Sequence, residues 1–141
     1  MITKIFSRSA LHEHADPAQR VQGAAMLPPD SGELARLLAA DPAPEVRLAA
    51  AHRCADLSAL AGAWATESDS AVRAALATAL GNVLSETADG AGAMALLDAD
   101  HCTDAIRSEV ARRTSDAGRR RIAMARIRDE SLLVELALAA E

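Results

Sequence analysis

The stretch DPAPEVRLAA, residues Asp41–Ala50, decides the fold because it is one of three copies of the same pattern. The first copy reads DPAQRVQGAA at Asp16–Ala25, and a reduced copy reads DSAVRAALA at Asp69–Ala77. A segment that recurs at a near-constant spacing is the signature of an array of similar helical units. The sequence therefore predicts an all-α chain built from repeats, rather than a domain with one irregular core.

Each copy carries the signals of a helix start. An Asp precedes the apolar residues, where its carboxylate is able to accept free backbone amide protons, and Pro17 and Pro42 follow at a first-turn position. Further starts are predicted before three apolar stretches of about three turns, at Asp30-Ser31, Asp56 and Asp129. One unit is therefore predicted to be a helical hairpin, and the chain to hold about nine helices.

These residues resemble the HEAT-like repeat, in particular the short type first described in phycobilisome bilin lyases, which reads Asp-Pro-x-x-x-Val-Arg-x-x-Ala-Ala. Arg47 and Arg73 match the arginine of that pattern, whereas Gln22 stands in its place in the first copy. The resemblance covers nearly the whole chain and implies an α-α superhelix, that is, a short solenoid. It does not imply one activity, because HEAT-like arrays serve as scaffolds, regulators, lyase subunits and DNA glycosylases.

A narrower resemblance rests on two segments, Leu27–Ala61 and His101–Glu141. They are similar to the N-terminal region of large proteobacterial proteins that carry a "domain of unknown function 349". That family implies no defined activity, although some members are labelled as DNA repair ATPases. The resemblance implies that the chain is a bacterial protein and either a fragment or a short relative of those proteins.

The repeat register is ambiguous between residues 85 and 104. One interpretation makes Ile106-Arg107 the next Val-Arg pair and gives a long third unit. The other, which we favour, aligns Cys102-Thr103-Asp104 with Cys54-Ala55-Asp56, so that the last hairpin starts within RRRIAMARIRD. A parallel alignment of Ile127-Arg128-Asp129 with Cys54-Ala55-Asp56 places Arg120 on Arg47 and Ala123 on Ala50.

Composition agrees with a helical array. Ala, the strongest helix former, occurs 35 times, whereas Phe6 and Trp64 are the only aromatic residues. We predict an N-terminal arm at residues 1–15 and a single repeat domain at residues 16–141. The chain shows neither an apolar stretch long enough to cross a membrane nor a secretory signal, and it holds two cysteines, so a cytoplasmic location is expected.

The arginines of the repeat are predicted to be structural. An Arg one residue after the first apolar position of a HEAT-like helix commonly reaches the start of a neighbouring unit and forms a bidentate pair with an Asp there. Arg47 and Arg73 occupy that position. We therefore do not count them as candidates for a binding site.

The remaining arginines form a basic block in an acidic chain. The chain has a net charge of −5, but residues 104–128 hold 8 arginines and 3 acids, a local charge of +5. Most exposed charge runs are solvated surface, yet such a block is also able to bind an anion or an acidic partner. The candidates for anion or partner binding are Arg112, Arg119, Arg121, Arg126 and Arg128.

The last helix is predicted to be an interface. Its sequence SLLVELALAAE places apolar residues on more than one face, and the end of a solenoid normally needs a polar outer face. An uncovered apolar edge is a docking surface or an aggregation liability. We expect self-association or coverage by a longer parent protein, with Leu132, Leu133 and Leu136 as the candidate interface residues.

Catalytic chemistry is not evident from the sequence. His12-Glu13-His14 lacks the helical spacing of a zinc protease motif and lies in the predicted arm, and His52 with Cys54 and His101 with Cys102 are expected to fill packing or capping roles. Trp64 falls on an apolar stripe and is expected in the core. Neither a phosphate loop nor a nucleophile elbow occurs, so we expect no catalytic residue, no metal and no cofactor.

The sequence thus favours a non-enzymatic protein-interaction module with a protein partner and no membrane association. The second helices of the hairpins are expected to line its concave binding face. A nucleic-acid-associated protein that uses the Arg-rich segment 107–128, such as a HEAT-like DNA glycosylase or repair protein, is an alternative, but the acidic total and the lack of Tyr disfavour it. A HEAT-like bilin lyase subunit is the other alternative.

Overall fold

Side chains that accept first-turn amide protons set where the helices begin. In the computed structural model, which describes residues 11–139, Asp16, Ser31 and Asp56 each accept a hydrogen bond from an amide two or three residues further on. Asp69 and Asp129 do the same. Five of the six predicted starts are thus confirmed.

Residues 11–139 form one 3-10 turn and nine α-helices, with no strand among them, which confirms the all-α class. None of these helices is both long and apolar enough to pass through a lipid bilayer. The turn covers Leu11–Glu13, and the helices are α1 (Pro17–Met26), α2 (Gly32–Ala40), α3 (Pro44–Arg53), α4 (Leu57–Thr66), α5 (Ser70–Glu86), α6 (Gly90–Asp98), α7 (Asp104–Arg113), α8 (Ala117–Arg126) and α9 (Glu130–Ala139).

The helices belong to two compact units, and the boundary falls within α5, between Ala79 and Leu80. In the first unit α1 packs on α3, and α2 packs on α3 and α4. Its core is made by apolar residues at helical spacing that are fully buried, and Trp64 is buried as predicted. The fully buried large side chains of this unit are Leu34, Leu38, Val46, Leu60, Val72 and Leu76.

In the second unit α8 packs on α6 and α7, and α9 packs on α7. Gly81 allows α5 and α7 to lie close together at this point, because a Cβ atom at residue 81 would collide with the Cβ of Glu109 on α7. The largest fully buried apolar side chains of this unit are Leu80, Leu84, Leu97, Ile106 and Val110. A continuous apolar core therefore supports the elements that carry the Arg-rich segment.

Asp41 does not start a helix, contrary to the prediction. Helix α3 begins at Pro44, its N-cap is Ala43, and no side chain forms the cap hydrogen bond. The second proline is the reason, because a residue that precedes proline is disfavoured in the α-region and Ala43 is therefore held extended. Asp41 is instead the C-cap residue of α2, and its carboxylate accepts from the Ala43 amide at 2.9 Å.

An arginine at the fourth helical position recurs in five helices and contacts the end of the element before it. Carbonyls at a helix C-terminus lack partners within the helix and lie at the negative end of its dipole. A guanidinium there donates hydrogen bonds to these carbonyls and places a positive charge at the negative end. Arg107, for example, donates to the Leu97 carbonyl at 3.0 Å and to the Ala99 carbonyl at 2.9 Å. The other members are Arg20, Arg47, Arg73 and Arg120.

Two of these arginines also form bidentate ion pairs with an acid. Arg20 donates to Asp41 at 2.8 and 3.1 Å, and Arg47 donates to Glu67 at 2.9 and 3.1 Å. Arg20 rather than Gln22 is therefore the equivalent residue of the first copy, so the series does not lack its first member. The Asp-Pro alignment hid this because the extra residues before α3 shift the register by two.

Arg73 is structural, as predicted, but its partners differ from the expected Asp. Its guanidinium donates to the carbonyls of Trp64 and Glu67 at 3.2 and 2.8 Å. It also lies 3.9 Å from the centroid of the Trp64 ring. A cation-π contact and two helix-end carbonyls therefore replace the carboxylate.

The ambiguous segment contains a regular helix. Residues 90–98 form α6, which begins after the N-cap Asp89. Asp104 is the first residue of α7 rather than its cap, and Ile106-Arg107 occupy the third and fourth positions, like Val46-Arg47 in α3. These positions support the interpretation that we did not favour, in which Ile106-Arg107 is the next Val-Arg pair.

The helix positions agree with the alignment of Ile127-Arg128-Asp129 with Cys54-Ala55-Asp56. Arg120 is the fourth residue of α8, as Arg47 is of α3, and Ala123 and Ala50 are the seventh residues. Both alanines are fully buried. The same helix pattern thus occurs in α7 and in α8, which is why the sequence supported two registers.

The predicted arm at residues 1–15 lies partly outside the described residues, which start at residue 11. Residues Leu11–Glu13 form the 3-10 turn, which packs on α1. His14 accepts a hydrogen bond from the Asp16 amide through its Nδ1 atom at 3.0 Å. Residues 11–14 are therefore tied to α1 rather than forming a free arm.

The Arg47–Glu67 pair predicts a pH-dependent stability. The hydrogen bond from Arg47 lowers the pKa of the Glu67 carboxyl, whose side chain is 5% exposed. A lowered pKa in the folded state gives stability that is present above the ordinary value of about 4.3 and lost as the pH falls through the folded value. We expect Glu67→Gln to lower the free energy of unfolding by about 1 kcal/mol at pH 7.

Urea denaturation at pH 7, 5 and 3 tests this expectation. The difference between wild type and Glu67→Gln should shrink as the pH falls below the ordinary value of about 4.3 and towards the lowered folded pKa of Glu67, because the carboxyl then becomes protonated first in the unfolded and later in the folded chain. Glu135→Gln is the control, because the Glu135 side chain is 64% exposed and an exposed pair contributes little. A difference for Glu67→Gln that grows as the pH falls would contradict the assignment.

Candidate functional site

Arg119 is buried, contrary to its selection as an anion-binding candidate. The residue is 7% exposed, and its guanidinium donates to the Leu84 carbonyl at 2.9 Å and to the Thr87 carbonyl. These carbonyls lie at the end of α5 and just beyond it. Arg119 is therefore a structural residue that contacts a helix C-terminus.

Arg112 and Arg126 are partly exposed and are engaged by acids. Arg112 lies 3.3 Å from Glu135 and 3.7 Å from Glu109. Arg126 donates from Nε to Asp98 at 2.9 Å and from Nη2 to the Asp98 carbonyl at 2.6 Å. The hydrogen bond from Arg126 lowers the pKa of the Asp98 carboxyl, so this pair is charged at neutral pH.

Arg121 and Arg128 are the candidates whose side chains have no partner within residues 11–139. Both residues are exposed. Only the backbone amide of Arg128 is engaged, as a donor to Asp104 at 3.1 Å. Of the five candidate arginines, these two therefore have guanidinium groups that are free to meet a ligand.

A polar pocket of about 460 Å³ brings Arg126 and Arg128 together but includes neither Arg112 nor Arg121. We call it the α7 pocket, because it lies at the N-terminal end of that helix. Its lining residues are Asp100, Cys102, Thr103, Asp104, Arg107, Arg126 and Arg128. Two separate parts of the Arg-rich segment, the start of α7 and the end of α8, thus converge on one cavity.

Sequence reasoning missed Thr103, Asp104 and Arg107 as pocket residues. The signal that would have found Arg107 was the Ile106-Arg107 pair, which is the register that we disfavoured. The side chain of Asp104 accepts from the amides of Arg128 and Asp129 at 3.1 and 3.0 Å. That contact joins the start of α7 to the start of α9, a proximity that no local pattern encodes.

The two cysteines are buried, and burial raises the pKa of both thiols. Cys54 is the C-cap residue of α3, whereas Cys102 lines the α7 pocket. A thiol whose pKa is raised has little thiolate at neutral pH and is a weak nucleophile. Their neighbours His52 and His101 are exposed, so the buried member of each predicted pair is the cysteine.

Metal-ligand groups of three or more His, Cys, Asp or Glu side chains do not occur among residues 11–139. His12 and Glu13 lie within the 3-10 turn, and the Nε2 atom of His12 is 3.7 Å from a Glu13 oxygen. His14 faces the Asp16 amide through Nδ1. The three residues therefore contact the chain locally and do not converge.

The last helix exposes a different set of apolar residues from the one predicted. Leu136 is 6% exposed, whereas Leu132 and Leu133 are half-buried. Val134 and Leu138 are 59% and 66% exposed and lie one helical turn apart. The prediction of Leu136 as an exposed interface residue is thus wrong, because that side chain packs towards the core of its unit.

Val134 and Leu138 define what we call the α9 outer face. Met26 is the other large apolar residue that is strongly exposed in the described chain, and it lies on α1 of the first unit. Residues 129–141 hold four acids and no basic residue. One of them, the exposed Glu130, precedes Val134 by one helical turn, whereas Glu135 is paired with Arg112.

Comparisons of this chain with protein-family models, with curated proteins and with solved structures found no match.

Proposed function

We propose that this chain is a non-enzymatic protein-interaction module of the HEAT-like solenoid type, and that the α9 outer face contacts the partner. The exposure of Val134 and Leu138 on one helical face carries the proposal. Large apolar side chains that are grouped on a surface mark interaction sites more often than scattered ones do. The packing of α1 on α3, α2 on α4, α6 on α8 and α7 on α9 supports the repeat architecture, because in these four pairs a helix contacts the next but one.

The proposed occupant is an amphipathic helix of a partner protein with lysines or arginines beside its apolar stripe. Two apolar residues one turn apart match the i, i+4 anchors of a helix that lies along α9. The exposed Glu130, one helical turn before Val134, is complementary to a basic partner. A second copy of α9 would instead bring like charges together, which disfavours self-association through this face.

Peptide binding tests the proposal. The probe is a synthetic amphipathic helix with a leucine stripe flanked by lysines, compared with a peptide in which glutamates replace the lysines. We expect the lysine peptide to bind more tightly, and the variant Val134→Ser, Leu138→Ser to weaken that binding about tenfold or more, because each apolar side chain that is buried contributes about 1.5–3 kcal/mol. Fluorescence anisotropy of the labelled peptide measures the Kd.

Met26→Ser is the matched control, since Met26 is 58% exposed but lies on α1. It should leave the Kd unchanged. Equal weakening by both variants would indicate non-specific apolar contact and contradict the proposal. Light scattering of the free chain measures self-association, and a dimer that the double variant dissociates would replace the partner helix with a second copy as the occupant.

Nucleic-acid binding is the second candidate function, and the free guanidinium groups of Arg121 and Arg128 are the observation that favours it. Three other candidate arginines are engaged by carbonyls or acids, which leaves fewer phosphate contacts than the sequence offered. Each phosphate contact adds to the salt dependence of the affinity. A steep fall of oligonucleotide affinity with salt, removed by Arg121→Gln and Arg128→Gln together, would favour this function over the interaction module.

A further inference from the structure

The α7 pocket holds more hydrogen-bond donors than its own acceptors use. Arg107 is 6% exposed, and its Nη1 atom lies 3.4 Å from the Arg126 carbonyl and 3.8 Å from Asp104, both long contacts. The Nη1 atom of Arg126 lies 3.8 Å from Asp100, beyond hydrogen-bond distance. The guanidinium of Arg128 has no partner within residues 11–139. Three guanidinium groups therefore line one cavity: that of Arg128 is unpartnered, and Arg107 and Arg126 each keep an Nη1 group that makes only long contacts.

The acids around the pocket each have a partner in the chain or face solvent. Asp104 accepts from two amides at the start of α9, and Asp98 accepts from Arg126. The side chain of Asp100 is 99% exposed, so its charge is screened by water. The lining residues comprise three arginines and two aspartates, a net charge of +1. An anion rather than a cation is thus the ligand that the pocket favours.

The start of α7 adds a second, independent feature. Thr103 is the N-cap residue, but no side chain in the described chain accepts from the first-turn amides. Thr103 Oγ1 is buried and has no hydrogen-bond partner among the described residues. An N-cap hydroxyl ordinarily accepts a hydrogen bond from a first-turn amide, but here neither the Thr103 hydroxyl nor these amides have that partner. An uncapped helix N-terminus carries free amides and the positive end of the helix dipole, the two features that bind phosphate in proteins.

We infer that the α7 pocket binds a phosphate group, held by Arg107, Arg126 and Arg128 and by the N-terminus of α7. A tetrahedral dianion offers acceptors in several directions, which suits donors that converge from two helices and a following loop. The pocket volume of about 460 Å³ leaves room for a phosphate and a substituent on it. This site is separate from the α9 outer face, so it adds a ligand to the proposed function rather than depending on it.

A titration with inorganic phosphate, followed by amide chemical shifts, tests the inference. The ionic strength is held constant with sodium chloride, because exposed charges respond to salt alone. We expect saturable binding with a Kd of about 1 mM or tighter, with the largest shifts at the amides of residues 103–107. Shifts that are spread over the chain without a maximum at these residues would overturn the inference, as would a response that does not saturate.

A pair of charge-matched variants makes the test specific. Arg128→Gln should weaken phosphate binding about tenfold, the loss of one charge-assisted hydrogen bond. Arg121→Gln removes the same charge from a side chain that is also exposed and unpartnered but lies outside the pocket, and should change the Kd less than about twofold. Because neither guanidinium has a structural partner, both variants should fold. Equal weakening by the two would show general charge attraction and overturn the site.

Discussion

Arg119→Ala is expected to lower the free energy of unfolding by about 2–4 kcal/mol. The guanidinium is buried and donates to the carbonyls of Leu84 and Thr87. Removal of the side chain leaves these carbonyls without their donor and opens a cavity beside the end of α5. The loss of a buried donor that serves two acceptors exceeds the effect of an ordinary surface substitution.

Arg121→Ala is the matched control for this prediction. Arg121 lies two residues further along the same helix, is exposed and has no side-chain partner within residues 11–139. Its replacement should change the free energy of unfolding by less than about 0.5 kcal/mol. Urea denaturation followed by circular dichroism measures both variants. A smaller loss for Arg119→Ala than for Arg121→Ala would mean that the structural and surface roles are assigned to the wrong arginines.

The helix starts were predictable because their signals are local. Asp16, Ser31 and Asp56 cap amides two or three residues away, so the information lies within one turn. Asp41 carries the same signal but stands before two prolines, and Pro44 outweighed it by holding Ala43 extended. The proline signal at Pro44 thus overrode the capping signal of Asp41. Because both signals lie within a few residues, the start at Pro44 was predictable from the sequence.

The roles of the arginines were not predictable, because they depend on residues far away in the sequence. Arg119 and Arg121 stand in the same basic run, yet one contacts carbonyls 32 and 35 residues earlier and the other faces solvent. Arg128 joins Arg107 in the α7 pocket because the ends of α8 and the start of α7 meet. Helical periodicity separates faces, but it does not say which face the neighbouring helices cover.

Packing against a distant helix also decides which side chains form the α9 outer face. The composition of the last helix predicted an apolar surplus, which Val134 and Leu138 confirm by their exposure. It did not predict which leucines face inwards, and Leu136 turned out to be buried. The rotation of a helix about its axis is set by its packing partners, here α7, rather than by its own sequence when several faces are apolar.

Gly23→Ala is expected to destabilise the first unit by about 1–3 kcal/mol through overpacking. Gly23 is buried on the face of α1 that meets the 3-10 turn, and a Cβ atom there would lie 2.7 Å from the His12 Cα and from the Leu11 carbonyl carbon. Both atoms belong to the backbone, so the turn itself has to move. Alanine is the better helix former by about 1 kcal/mol, and the collision must exceed that gain to produce a net loss.

Gly62→Ala separates the collision from the helix propensity. Gly62 lies in α4, is exposed, and a Cβ atom there meets nothing within 4 Å. The same substitution should therefore raise the free energy of unfolding by about 0.5–1 kcal/mol, opposite in sign to Gly23→Ala. Thermal and urea denaturation of the two variants measure the difference, and amide shifts of residues 11–13 report whether the turn is displaced. If Gly23→Ala is as stabilising as Gly62→Ala, the turn does not pack on α1, and residues 11–15 form the free arm that the sequence predicted.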